Sequence, residues 1–99
     1  VTNINSSDYI LNGKDRNGNI SGNDPDLTFY VGDTVNFFNN TILPFYLKTT
    51  AGTGSGNAIS GITNNGTTNQ TISWTPTITG IFYYQCSFHI GMVGSITIQ

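Results

Sequence analysis

The chain has 99 residues, a net charge of −2 and 8% charged residues, and its basic residues are Lys14, Arg16 and Lys48 alone. Three scattered cations make no phosphate-binding patch, so the composition argues against a nucleic-acid partner. No apolar run reaches the length of a transmembrane helix, no amphipathic membrane helix is visible, and a single cysteine excludes an internal disulfide.

The length suits one domain, residues 1–99, with a modest core. With Val1 first, no initiator Met and no signal peptide, it reads as a processed protein or an excised domain. Residues 9–11 form a short apolar opening, and residues 12–26, dense in Gly, Asn and Asp, read as a loop. Residues 27–31 (LTFYV) are a strand, Gly32-Asp33 a turn, and residues 34–38 (TVNFF) a second strand. Residues 44–48 (PFYLK) follow, with proline at the strand start, where a missing N–H costs least. Residues 49–69 read as loops with at most one short edge strand. Residues 70–75 alternate, with Ile72 and Trp74 sharing one face. Residues 81–86 (IFYYQC) are the strongest strand, with Phe82, Tyr84 and Cys86 on one face and Ile81, Tyr83 and Gln85 on the other. Residues 87–92 are a loop, and residues 93–99 close the chain with Ile96 and Ile98 on one face. No segment has a 3.6-residue period. The fold class is therefore all-β, a two-sheet sandwich or small barrel with its last two strands nearly central.

The chain's only Cys, only His and only Met lie close together as Cys86, His89 and Met92, in the pattern C-x2-H-x2-M. Singly, each has an ordinary reading: a small buried hydrophobe, a loop imidazole and a gap filler. Together, between two strands, a thiolate, an imidazole and a thioether are the soft donor set that suits copper. Zinc takes thiolate and imidazole but seldom thioether. One loop delivers all three donors, and strand anchoring limits their rearrangement between Cu(I) and Cu(II).

Residues 83–94 (YYQCSFHIGMVG) resemble the ligand loop of the cupredoxins, the blue-copper family that includes plastocyanin, amicyanin and azurin. Gly32-Asp33-Thr34-Val35 resembles the family's G-D-x-V turn, and Gly80-Ile81-Phe82-Tyr83-Tyr84 its entry to the ligand strand. The resemblance runs over residues 27–99 and is most specific at the C-terminal loop. It implies a Greek-key β-sandwich and single-electron transfer with a redox partner protein, or a role as a domain of a larger parent protein, outside the cytoplasm. Cys86 is then the thiolate ligand, His89 the more exposed imidazole and electron port, and Met92 the weak axial ligand.

The family takes one more histidine from the strand after the Gly-Asp turn. The motif Pro44-Phe45-Tyr46-Leu47-Lys48 places that position at Leu43, or less favourably at Phe45. Neither side chain binds a metal, and the chain has no second histidine. The type 1 site is thus incomplete, and the expected copper affinity of the isolated domain is weak or nil. The competing reading is a metal-free structural or protein-interaction module that retains the fold.

Other features carry less. Residues 15–21 have alternating oxygens faintly like a calcium loop, but the glycine falls early and no Glu stands at the twelfth position, so a turn cluster is favoured. Strand aromatics suit a core better than a carbohydrate surface. Phe88, Ile90 and Leu43 suggest an apolar patch at the site mouth. Cys86 and His89 at i, i+3, with no orienting third residue, give little support for an enzyme. Sequons at Asn5, Asn19, Asn39, Asn65 and Asn69 are expected by chance in so Asn- and Thr-rich a chain.

Overall fold

The structure is a computed structural model that describes residues 2–3 and 8–99; the Asn5 sequon lies outside them. Among the described residues the strands are Thr2–Asn3 (β1), Tyr9–Asp15 (β2), Gly18–Asn23 (β3), Leu27–Phe29 (β4), Val35–Asn39 (β5), Phe45–Lys48 (β6), Gln70–Trp74 (β7), Gly80–Cys86 (β8) and Val93–Ile98 (β9). They form sheets of order β1-β2-β3, β4-β9-β8-β6 and β5-β7. The two strands that flank the Cys–His–Met loop are the inner pair of the four-stranded sheet, as their apolar alternation predicts.

Alternation sets which side chains meet. Phe82, Tyr84 and Cys86 of β8 and Ile96 and Ile98 of β9 are buried, as are Ile72 and Trp74 of β7. Tyr9, Phe37, Phe45 and Tyr84 make one aromatic cluster, in which Phe45 stacks on Tyr84 at 5.3 Å and 11°. Trp74 meets Phe82 edge-on at 5.3 Å. These contacts place most of the aromatic residues in the core, with Tyr30, Phe38 and Phe88 the exposed exceptions.

The structure corrects one expectation and sharpens two. Residues 12–26 are largely strand: β2 runs on to Asp15 and pairs with β3 from Ile10↔Asn23 to Asp15↔Gly18. Backbone pairing needs no apolar side chains, so a hairpin of Gly, Asn and Ser escapes hydrophobic patterning. The Gly32-Asp33 turn closes through Asp33 N–H to Tyr30 O at 3.0 Å, yet the strands on either side belong to different sheets. Residues 49–69 hold isolated bridges, Lys48↔Ala58 and Thr63↔Ser73, in place of an edge strand.

Gly94 lies opposite Tyr84 in the β8–β9 ladder, where a Cβ would strike the buried Tyr84 ring. The ring is itself fixed, because Tyr84 OH donates to Pro25 O at 2.5 Å. Only glycine leaves room for that ring beside the last strand.

Candidate metal centre

Cys86 ends β8 and Met92 immediately precedes β9, so the two inner strands carry the loop between them. Cys86 N–H donates to Met92 O at 3.0 Å and closes the loop at its base. Met92 N–H donates to His89 O at 3.2 Å, a turn that folds the imidazole back toward the thiol. Cys86 and Met92 are 0% exposed. His89 is half-buried.

Cys86 Sγ and His89 Nδ1 are 3.6 Å apart. A metal at about 2.3 Å from sulfur and about 2.0 Å from nitrogen, at a near-tetrahedral angle, separates such donors by about 3.5 Å. The separation of this pair matches that of two donors on one ion. Phe88 N–H donates to Cys86 Sγ at 3.5 Å. Among the described residues no group of three or more His, Cys, Asp or Glu is placed to hold a metal.

Residues remote in sequence complete the surroundings. Tyr9, from β2, donates its hydroxyl to Pro44 O at 2.5 Å. Burial first, then the neighbouring Cys86, holds the Tyr9 phenol far above its ordinary range, so it stays protonated. Phe45 lies opposite Cys86 in the β6–β8 ladder and is 0% exposed within the aromatic cluster. Leu43, ahead of β6, is half-buried and packs against the core. Asn39 pins its segment: its Nδ2 donates to Leu43 O at 3.0 Å and to Thr67 O at 2.9 Å, and its Oδ1 accepts from the Thr41 hydroxyl at 2.8 Å.

Gln85, on the opposite face from Cys86, is nevertheless 0% exposed. Its Nε2 donates to Cys86 O and His89 O, both at 3.0 Å, and to Ile90 O at 3.3 Å. Tyr9, Asn39 and Gln85 were not singled out from the sequence. Only for Gln85 was there a signal, an amide within the strongest apolar strand beside the lone cysteine.

Phe88 and Ile90 are 67% and 71% exposed, and the large exposed neighbour on the upstream segment is Ile42, at 79%. Leu43 turns toward the core instead of joining that surface. The faint calcium motif forms the β2–β3 turn, where Asp15 accepts from Asn17 N–H and Thr28 N–H, both at 2.8 Å.

No family model matches the chain, and no curated protein matches it. Solved structures do. A proline-to-phenylalanine variant of amicyanin in its reduced state is 32% identical, with a TM-score of 0.52, over 76% of this chain and 70% of that one. The Cu(I) form of a methionine-to-glutamine variant of amicyanin is 28% identical, with a TM-score of 0.53, over 76% and 70%. A purple cupredoxin from Nitrosopumilus maritimus is 25% identical, with a TM-score of 0.52, over 75% and 77%.

Proposed function

The chain belongs to the cupredoxin family, and on that premise we propose that it is a copper-binding, electron-transfer domain with an incomplete type 1 site. Cys86, His89 and Met92 are its donors, and Leu43 stands where the upstream histidine belongs, with Phe45 the less favoured position. The observation that carries this reading is the 3.6 Å spacing of Cys86 Sγ and His89 Nδ1 on a loop closed between two inner strands.

Bound copper supplies one-electron exchange between Cu(I) and Cu(II). Cys86 offers a buried soft donor, steadied by the Phe88 N–H. His89, half-buried, links the buried sulfur to the surface and serves as the electron port. Met92 adds a weak thioether from inside the core. Leu43 contributes an apolar wall and no donor. A sulfur–nitrogen–sulfur set satisfies Cu(I) better than Cu(II), so the reduced ion is the favoured occupant and the affinity is below that of a four-donor site. The reading includes a single domain over residues 1–99, a redox partner or larger parent protein, a place outside the cytoplasm and no enzymatic role.

The competing reading is a metal-free structural or interaction module. It is favoured by the membership of Cys86 and Met92 in the hydrophobic core cluster, where both also serve as packing. Anaerobic Cu(I) titration against a competing chelator separates the two. The copper reading expects one ion per chain, lost in Cys86→Ser and weakened in His89→Ala and Met92→Ala. Absence of stoichiometric copper at any chelator strength leaves the module.

A further inference from the structure

The Lys48 ammonium sits in an unusual place. Lys48 is 1% exposed, and the salt bridge found among the described residues, Arg16–Asp33, does not involve it. Taking an ammonium out of water is costly unless its donors are met. Here they are met by backbone alone: Lys48 Nζ donates to Gly52 O at 2.6 Å, Gly54 O at 2.9 Å and Thr53 O at 3.4 Å. Three acceptors match the three N–H groups of an ammonium. The chain curls around the cation through Gly54, at a φ of +80° that favours glycine.

That curl is bonded once to β8 and once to the ligand loop. Gly52 N–H donates to Gln85 Oε1 at 3.2 Å, and Gly54 N–H donates to Ser87 O at 2.9 Å. The Gln85 amide then donates to the carbonyls of Cys86, His89 and Ile90. An amide suits this position because it must accept on one side and donate on the other.

We infer that Lys48 and Gln85 are positioning residues forming one brace, from the ammonium through residues 52–54 and the Gln85 amide to the backbone that carries Cys86 and His89. The brace acts on the metal-free loop, holding the thiol and imidazole at binding distance where no upstream histidine helps to do so. Its bearing on copper rests on the function proposed above; its bearing on the loop does not.

The test compares Lys48→Met and Gln85→Met with a surface control, Lys14→Met. In metal-free protein, Cys86 modification by a disulfide reagent is expected to be at least tenfold faster in both brace variants. The faster rate should be independent of denaturant below the unfolding transition, the mark of local opening. The control should stay within twofold of wild type. Rates that are unchanged, or that rise only as global unfolding rises, overturn the brace. Where wild type binds Cu(I), the variants should bind it about tenfold more weakly, with an altered thiolate–Cu(II) band in the oxidised form; unaltered affinity and band also overturn it. Where wild type binds no copper, the function proposed above fails, and the thiol rates alone judge the brace. Should both variants fail to fold, hydrogen exchange in wild type decides. Gly52, Gly54 and Met92 amides should open together, and exchange at Gly54 a hundredfold faster than at Met92 overturns the inference.

Discussion

Leu43 and Phe45 differ most in what a histidine there would disturb. Phe45 stacks on Tyr84 and packs against Tyr9 and Phe37. Loss of such a buried ring costs about 3–5 kcal/mol when truncated to alanine. Phe45→His is therefore expected to lower the unfolding midpoint strongly. Leu43 is half-buried outside the strand, so Leu43→His should fold nearly as well as wild type. It is expected to raise copper affinity and bring a strong visible thiolate–Cu(II) band, read by titration and absorption. A band in Phe45→His and none in Leu43→His would move the missing position to 45. A second residue sets a pH dependence. Asp24 accepts from Tyr9 N–H at 2.9 Å, and its carboxyl is raised to about 6 by burial and the nearby Asp8, against the lowering effect of that N–H. A raised native carboxyl holds its proton longer than the unfolded chain, whose Asp titrates near about 3.9. This contribution to stability therefore falls as pH rises from about 4 to about 6, and is flat above. Asp24→Asn keeps the acceptor and suits the φ of 44° at this position. It is expected to raise the unfolding midpoint at pH 7.5 and to remove the fall between pH 4 and 6 in a pH series of melts.

The β8–β9 pair is the element on which the candidate centre depends. It was legible because its side chains alternate against a core and its ends bracket one loop. Gly94 is where its geometry is least tolerant, since Gly94→Ala drives a methyl into the Tyr84 ring. Overpacking of this kind costs about 1–3 kcal/mol. Chemical denaturation should show a loss of that size, and ring and ligand loop should loosen together, because Tyr84 and Cys86 share one face of β8. The β2–β3 hairpin was not legible. Its stability comes from backbone pairing and glycine conformations, as at Gly18 with φ 111°, which leave no hydrophobic period in the sequence. Yet β2 supplies Tyr9, whose hydroxyl bonds to Pro44 beside the centre. Pairing that is silent in the sequence thus delivers a side chain to the site.

For the whole molecule, the proposed copper binding would be linked to folding. The loop donors converge only when β8, β9 and their cover are folded, so on the proposed function copper binds the native chain in preference to the unfolded one and stabilises it. At about 100 times the dissociation constant the gain is about 2.7 kcal/mol. For a chain of this size each kcal/mol moves the midpoint by about 4–8 °C. Calorimetry with Cu(I) should show a rise of that order, reversed by a strong Cu(I) chelator and absent in Cys86→Ser. The sequence by itself determined the all-β class, the buried alternation of β7 to β9, the central position of the last two strands and the Cys86–His89–Met92 loop. All of these follow from local spacing, since strand period and loop length are read along the chain. Tertiary structure alone decided that Tyr9 reaches Pro44, that Leu43 packs inward while Ile42 is exposed, and that the buried Gln85 and Lys48 bond to residues 52–54. Those outcomes depend on which distant backbone groups need a partner once water is excluded, and the order of residues along the chain does not state that need.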